Sequence, residues 1–333
     1  GWFSALVGYQ LIRAMNRGRK VNGTFFSLGA GLSILAAAGL MYPAIQELRR
    51  LPGRYIVIPG ALKDTLLWMK QNTPPTSEEQ PEYGVLSASW TFGHWIQYFA
   101  GRPTLNNGFH RNARGNTEAL QFLMAGSEED ALEVLKKNNI RYVLLNDFTF
   151  NLPAYARILE REPGRYIQVE NRGGRLVYVP GPEYMDLFGM RLLLFDGLLT
   201  NSGQKPDYTS HLRLVYESKQ QVSVSGYPAA VFKVFEYVPG AKVNVQAQPG
   251  AEASIEGLVR TPNKRSFLYI NRGVADASGE LTLGSAYALS ADDEIGFVRT
   301  PELRVGDRPV PVPLTGKDVL SGREIGRASC RER

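Results

Sequence analysis

Cysteine and histidine are nearly absent from this sequence of 333 residues. The single cysteine, Cys330, excludes a disulfide framework and any zinc site made of cysteines. The three histidines, His94, His110 and His211, lie far apart in the sequence and offer little material for a metal site. The sequence also lacks a P-loop and the GxGxxG, GxSxG and HExxH patterns. It therefore contains no complete active site of these nucleotide-binding, hydrolytic or metalloprotease kinds.

Charge of one sign is not concentrated anywhere in the chain. Lysine and arginine number 38 against 32 aspartate and glutamate, which gives a net charge of +6. These charges are scattered, so no basic tract predicts a nucleic-acid partner. With 44% hydrophobic and 21% charged residues, the composition is that of a folding protein. At roughly 150 residues per domain, the length predicts about two folded domains.

One long uncharged segment, residues 21–46, stands out near the start. It consists mostly of Phe, Leu, Ala, Ile and Gly, and about 20 apolar residues suffice to span a bilayer. We therefore predict a transmembrane helix here, the alternative being a buried helix of a soluble core. Residues 1–20 are predicted to be the end of a truncated transmembrane helix and a cytoplasmic loop. The basic residues on the two sides favour a cytoplasmic N-terminal side, which places the C-terminal part on the periplasmic or extracellular side. Because residues 1–12 resemble the last turns of an earlier span, we predict a multi-pass membrane protein.

The rest of the sequence predicts an α+β protein. Residues 47–210 mix helical and strand patterns and are predicted to form a central α/β domain. Its clearest elements are a helix capped by Ser127 and a continuous apolar strand at 140–145, an order expected of an α/β layer. From 211 to 318, short alternating strands are separated by Gly and Pro, which predicts a β-sandwich or barrel-like domain.

The C-terminal end is interpreted as partly non-native. Residues 324–333 read EIGRASCRER, which matches the translation of a common sequencing adapter. We therefore predict a disordered end over 319–333 and leave this tail out of the fold prediction. The chain is accordingly interpreted as a fragment of a longer protein.

The densest group of functional side chains is SASWTFGHWIQYF, residues 87–99, where a predicted strand meets a predicted helix. Trp90 and Trp95 each carry an indole donor, and Ser89 and Thr91 carry hydroxyls that donate and accept hydrogen bonds. One interpretation is a polar and aromatic pocket for a small group on a peptide or sugar. The other is an aromatic helix start that packs into the core. These residues alone favour neither.

The segment YGVLSASWTFGHWI resembles the part of the oligosaccharyltransferase catalytic subunits that carries the WWDYG signature, especially in the single-subunit archaeal and bacterial enzymes. The similarity continues along the chain in NTEALQFLMAGSEEDALEVLKKNNIRYVLL, RLLLFDG, HLRLVYESK and FKVFEYVPGAKV. It thus runs from the predicted transmembrane helix to about residue 285 as a series of blocks in the same order.

The resemblance implies an enzyme that transfers a preassembled glycan from a polyprenyl-phosphate or -pyrophosphate carrier to an acceptor asparagine. In that family a divalent metal, Mn²⁺ or Mg²⁺, activates the leaving phosphate and is held by carboxylates of the membrane domain. Those carboxylates lie upstream of the segment seen here, so we assign no catalytic residue and no metal ligand in this chain. The partners implied are the lipid bilayer, the lipid-linked glycan and the acceptor polypeptide.

The WWDYG element of the family selects the acceptor, because it holds the Ser or Thr two positions after the asparagine. Here it aligns with Ser89, Trp90, Thr91, Phe92 and Gly93, so the first Trp, the Asp and the Tyr hydroxyl are absent. We expect Trp90 to keep one donor and Thr91 to accept in place of the carboxylate, at a loss of roughly 1 kcal/mol.

A second family element, an Asp followed by Lys and Met on a short helix, aligns with Asp147, Asn151 and Tyr155, of which only the Asp matches. Both departures predict a relaxed or different acceptor. Two other classes stay open: a membrane-anchored carbohydrate- or protein-binding module without catalysis, and another glycosyltransferase that uses a lipid-linked sugar.

Overall fold

The computed structural model describes residues 58–77, 79–108, 113–200, 204–290, 294–306 and 308–329, together with Tyr42 and Gln46. The predicted transmembrane helix over 21–46 lies outside these residues apart from Tyr42 and Gln46, and so do His110 and Cys330. Within the described part of the chain, no helix is long and apolar enough to cross a membrane. The helices and strands from residue 60 onward belong to one compact unit, Pro59–Arg333.

Helices and strands are both abundant, which confirms the predicted mixed α and β class. The helices are α1 Gly60–Asn72, α2 Ala113–Leu123, α3 Glu128–Lys137, α4 Leu152–Ile158, α5 Phe188–Phe195 and α6 Gly316–Ser321. A further helical segment, the aromatic helix, runs through Trp90–Phe92, Gly93–Trp95 and Ile96–Ala100. The strands are β1 Gly84–Ser87, β2 Ile140–Leu145, β3 Ile167–Arg172, β4 Arg175–Pro180, β5 Leu212–Glu217, β6 Gln221–Val224, β7 Tyr227–Ala230, β8 Lys233–Tyr237, β9 Ala241–Gln246, β10 Glu252–Arg260, β11 Ser266–Val274, β12 Glu280–Ser285, β13 Gly296–Phe297, β14 Glu302–Val305, β15 Arg308–Pro311 and β16 Glu324–Ser329.

A four-stranded sheet in the order β1-β2-β8-β5 organises the first half of the unit. Strands β1 and β2 are parallel, whereas β8 is antiparallel to both β2 and β5. Leu86, Val143 and Phe235 occupy paired positions on one face and are buried in a core shared with α2, α3 and α5. The predicted strand at 140–145 is therefore confirmed, and its mostly apolar sequence, interrupted by Arg141, reflects burial on both faces of the sheet.

Helix α3 packs on this sheet with the cap that the sequence predicts. The Ser127 hydroxyl accepts a hydrogen bond from the Asp130 amide, and acidic residues fill the first turn while lysines fill the last. Both arrangements stabilise the helix, the first by satisfying a free N–H and the second by complementing the helix dipole.

The C-terminal half is built from two further sheets that share one core. Strands β10, β11, β13, β14 and β15 form a five-stranded sheet, and β12, β9 and β16 form a three-stranded sheet. Val243 of β9, Ile255 of β10 and Tyr269 of β11 are buried in the same hydrophobic cluster. Strands β5 and β8 follow the predicted domain boundary at residue 210, but β8 pairs with β2 of the first half. The exact domain limits stay a prediction.

Order at the C-terminal end differs from the predicted disorder over 319–333. Thr315 and Asp318 form a capping box that begins α6, and Val319 of that helix is fully buried. Residues 324–329, part of the adapter-like tail, then pair with β9 as the parallel strand β16. The free edge of β9 supplies the main-chain partners for this strand, so its formation depends little on which side chains it carries.

A buried cluster of four charged side chains joins the two halves. Asp196 directly follows α5 in the left-handed region at φ 56° and accepts a hydrogen bond of 2.8 Å from Lys233 Nζ. Arg265, which directly precedes β11 of the five-stranded sheet, binds both Asp196 and Glu217. The Lys233 and Asp196 side chains are 3% and 5% exposed, so these charges are satisfied by each other rather than by water.

Candidate functional site

The parallel pairing of β1 with β2 brings the two sequence elements that resemble the family to one edge of the first sheet. Ser87 lies opposite Leu144, and the Ala88 amide donates to the Leu144 carbonyl at 2.9 Å. The loop that begins at Ala88 and the loop that begins at Asn146 therefore leave the sheet side by side. The carboxyl edge of parallel strands is where α/β sheets commonly bind ligands.

Ser89 and Thr91 begin the aromatic helix and hydrogen-bond to each other. The Ser89 hydroxyl accepts from the Thr91 amide at 3.4 Å and lies 2.8 Å from the Thr91 hydroxyl. Thr91 is exposed, so its hydroxyl oxygen can accept a further hydrogen bond from a ligand. In the alignment predicted from the sequence, this hydroxyl takes the place of the signature's carboxylate.

Trp90 and Tyr155 connect the two sequence elements. Their ring centroids are 5.7 Å apart, and the Tyr155 hydroxyl donates to the Ala88 carbonyl at 2.8 Å. Burial raises the pKa of Tyr155 to about 12, so the phenol stays protonated and remains a donor at neutral pH. The Asn151 side chain also hydrogen-bonds to this phenol. Trp90 is half-buried, and its indole N–H has no acceptor among the residues that the structure describes.

Asp147 shapes its own loop. Its carboxylate accepts the Thr149 amide at 2.9 Å, an Asx turn that starts the short helical turn before α4. The neighbouring Asn146 donates to the Asp147 carbonyl at 2.8 Å, while its side-chain oxygen is buried without a partner among the described residues. The sequence reasoning passed over Asn146. A polar residue directly after a buried strand was the signal that could have found it.

Phe92 is half-buried and Gly93 is buried, and both pack against neighbouring segments of the protein. The Phe92 ring stacks on Trp95 at 6.3 Å and meets the edge of Phe232 at 5.8 Å. Gly93 packs directly against the backbone of residues 106–107, with no room for a side chain. Of the five aligned positions, Trp90 and Thr91 thus keep partly or fully exposed polar groups, Ser89 hydrogen-bonds to Thr91, and the last two pack against neighbouring segments.

A divalent cation has no complete ligand set at this site. Asp147 is the one carboxylate that the described residues 88–93 and 147–155 provide, and it already accepts a main-chain amide. Across the described ranges, no group of three His, Cys, Asp or Glu side chains is placed to hold a metal ion. These residues do not fit a catalytic metal, so no chemical step is assigned to one here.

Comparison with known proteins shows that this chain is similar to archaeal oligosaccharyltransferases. Residues 61–149, which include β1, β2 and the start of both loops, match the family model described as the AglB core domain. Residues 240–325 match the model described as the archaeal glycosylation protein B long peripheral domain. The resemblance to the oligosaccharyltransferase family, predicted from sequence blocks, is confirmed in both regions.

Curated relatives come from Archaeoglobus fulgidus. Dolichyl-phosphooligosaccharide-protein glycotransferase 2 is 37% identical over 86 residues, which cover 25% of this chain and 14% of the relative. Dolichyl-phosphooligosaccharide-protein glycotransferase 3 is 27% identical over 362 aligned positions, which cover 79% of this chain and 42% of the relative. The chain thus spans less than half the length of these relatives.

Solved structures share the fold. The archaeal oligosaccharyltransferase AglB from the same organism, in complex with an inhibitory peptide and a dolichol-phosphate, superposes with a TM-score of 0.68 at 19% identity. That match covers 98% of this chain and 49% of the other. A crystal structure of the A. fulgidus enzyme with Zn and sulfate superposes with a TM-score of 0.67 over 92% of this chain and 51% of the other, at 19% identity.

Proposed function

We propose that this chain is the C-terminal part of an oligosaccharyltransferase-like enzyme and that the edge formed by residues 88–93 and 147–155 binds the acceptor polypeptide. The whole enzyme would transfer a glycan from a polyprenyl-phosphate or -pyrophosphate carrier to an asparagine. The observation that carries the proposal is Tyr155, which joins both elements by its hydrogen bond to Ala88 and its ring contact with Trp90. A single buried side chain thereby fixes an unpaired indole donor beside an exposed hydroxyl.

The chemistry of these groups suits a hydroxyl ligand. Trp90 would donate a hydrogen bond from its indole N–H to the side-chain oxygen of a Ser or Thr on the acceptor, and the Thr91 oxygen would accept a hydrogen bond from that hydroxyl. Both contacts are hydrogen bonds between neutral groups, which are about half as strong as those to a carboxylate. We therefore propose that the enzyme prefers Ser or Thr two positions after the acceptor asparagine less strongly than a site with the carboxylate would.

The remaining parts of the proposal concern the membrane and the metal. A transmembrane helix over 21–46 would anchor the domain in a multi-pass protein, with the globular part on the periplasmic or extracellular side. Mn²⁺ or Mg²⁺ would be bound by residues outside this chain and would stabilise the leaving phosphate. The two C-terminal sheets would form a sandwich that braces the central domain, a role supported by the ion pairs of Arg265 with Asp196 and Glu217.

Acceptor selection provides the first test. In the full-length enzyme, we expect transfer to peptides with Thr and with Ala two positions after the asparagine to differ by about thirtyfold or less, because each of the two neutral hydrogen bonds contributes about 1 kcal/mol. Trp90→Ala should lower transfer to the Thr peptide about fivefold, toward that of the Ala peptide, because the contact with Thr91 remains. Tyr98→Ala, an exposed aromatic outside the site, serves as the control. A preference for Thr of several hundredfold would contradict the relaxed selection.

Tyr155→Phe tests the positioning of the loop separately from its contacts with the ligand. Loss of the phenol hydroxyl leaves the Ala88 carbonyl unpaired, and we expect the KM for the acceptor peptide to rise about fivefold, on the scale of about 1 kcal/mol for one hydrogen bond. The kcat should stay the same, because Tyr155 contacts no reacting atom. The measurement is a full peptide titration at saturating glycan donor. An unchanged KM would remove Tyr155 from the proposal.

A further inference from the structure

The first sheet carries a groove on the face opposite Leu86, Val143 and Phe235. None of the residues that line this groove belongs to residues 88–93 or 147–155, which form the proposed acceptor edge. Tyr142, Glu236 and Arg213 lie side by side across β2, β8 and β5 and form its floor. Helix α1 forms one wall, and the turn at Pro262 and Asn263 forms another. The cavity has a volume of about 500 Å³, within the usual range for small-ligand sites.

The floor of the groove is polar and rigid. Glu236 is 3% exposed and accepts hydrogen bonds from Arg141 at 2.9 Å, from Arg213 at 2.6 Å and from the Tyr142 hydroxyl at 3.1 Å. Because both carboxylate oxygens are occupied, Glu236 holds the two arginines in place rather than accepting from a ligand. Only two N–H groups of Arg213 point at this carboxylate, so its remaining donors are available to the groove.

An aromatic pair stands at the side of this floor. Trp68 of α1 and Tyr216 of β5 stack with ring centroids 4.8 Å apart and an angle of 30°. Both residues are partly exposed and line the groove. Among the described residues, the Trp68 indole N–H has no hydrogen-bond acceptor.

Amide and ammonium groups surround the aromatic pair. Asn72 and Asn263 use their amide nitrogens on main-chain carbonyls, at 2.9 Å to Trp68 and at 3.1 Å to Ser218, which leaves their side-chain oxygens as acceptors. Lys219 is exposed, and no carboxylate of the described residues lies within ion-pair distance of it. The groove thus combines aromatic surface with separate donors and acceptors.

We infer that this groove binds a carbohydrate, at the scale of one or two sugar rings. A pyranose has C–H faces that pack on aromatic rings, and these suit the stacked pair of Trp68 and Tyr216. It also has hydroxyls that each donate and accept hydrogen bonds, which suits the two amide oxygens and the remaining N–H donors of Arg213. A phosphate or nucleotide would need several unpaired cations, whereas Lys219 is the one found in the described lining. An acyl chain would leave Asn72, Asn263 and Arg213 without partners. The inference stands independently of the acceptor-site proposal.

Saturation-transfer NMR on the purified full chain tests the site with three probes, the methyl glycosides of a hexose, an N-acetylhexosamine and a hexuronic acid. We expect at least one to bind with a saturable curve, and Trp68→Ala to weaken its binding about tenfold or more, equivalent to about 1.4 kcal/mol. Tyr98→Ala, an exposed aromatic outside the groove, should leave binding unchanged. Absence of binding by all three probes would overturn the inference.

A second variant keeps the test decisive if Trp68→Ala weakens the fold. Lys219 is exposed and outside any ion pair of the described residues, so Lys219→Ala should keep the structure and still weaken sugar binding severalfold. If neither variant changed sugar binding, the sugar would bind outside the groove and the inference would be overturned. An acceptor peptide that competes with the sugar would also overturn it, because the groove would then be part of a peptide site. Acceptor transfer in the Trp90→Ala variant is a separate measurement, so either proposal can fail alone.

Discussion

Replacing Asp196 with alanine is expected to lower the free energy of unfolding by about 3–5 kcal/mol, the cost of removing one partner from a buried ion pair. Lys233, whose side chain is 3% exposed, would keep its hydrogen bond to the Leu193 carbonyl at 2.7 Å but would lose its neighbouring carboxylate. Arg265 would lose its hydrogen bonds to the same carboxylate. Urea unfolding of the purified chain, followed by circular dichroism, measures the change.

The pH dependence of this variant distinguishes the charge from the lost packing. Burial already lowers the pKa of Lys233 below its ordinary value of 10.5, and Asp196 opposes that effect. Without Asp196 the folded pKa falls further, so between the folded pKa and 10.5 the unfolded state binds more protons than the folded state. Stability then rises with pH over that interval, and the Asp196→Ala variant should recover part of its loss in alkaline buffer.

An exposed ion pair supplies the matched control. Lys205 and Glu252 form a salt bridge in which the two side chains are 65% and 58% exposed. Glu252→Ala should leave the unfolding curve unchanged, since solvent-exposed pairs contribute little. If Asp196→Ala also left the free energy of unfolding unchanged, the cluster of Asp196, Glu217, Lys233 and Arg265 would not be what holds the two halves together.

Local patterns in the sequence were sufficient to predict the elements near the acceptor edge. The apolar run at 140–145 became β2, and Ser127 with its acidic first turn marked the start of α3. Short-range signals of this kind act within one strand or one helical turn, so they can be interpreted without knowledge of the rest of the fold.

The position of Trp90 beside Tyr155 could not be predicted from such local signals. Those residues are far apart in the sequence, and only the resemblance to a known family brought them into one hypothesis.

Long-range charge pairing was the part that sequence reasoning missed. Lys233 lies in the largely apolar strand segment FKVFEYV, and Asp196 follows the largely apolar helix segment RLLLF. A charge in such an element indicates a buried partner, because an unpaired buried ion is costly. Which partner it finds depends on strand order, and the antiparallel placement of β8 between β2 and β5 was not predictable from local patterns. The same holds for the row of Tyr142, Glu236 and Arg213 in the groove.

Gly93→Ala is expected to destabilise the protein by about 1–3 kcal/mol or more and to disrupt acceptor binding, because the added methyl group overpacks a filled position. A Cβ at residue 93 would lie 2.5 Å from the Asn106 carbonyl oxygen and 2.7 Å from the Asn107 Cα. Both are backbone atoms, so no side chain can rotate away to make room. The backbone of Gly93 is itself ordinary for any residue, at φ −51° and ψ −47°, so the penalty is steric.

The displaced segment is the one that holds the end of β1. Asn106 accepts the Ser87 amide at 3.0 Å and donates to the Ser87 carbonyl at 2.8 Å, so moving it disturbs the strand from which the loop 88–93 emerges. Urea unfolding and transfer to an acceptor peptide should both be measured. Gly126→Ala is the control, since a Cβ there meets open space and should change neither. If Gly93→Ala kept full stability and full transfer, the glycine of this motif would have no steric role, and the anchoring of the acceptor loop by its last two residues would be wrong.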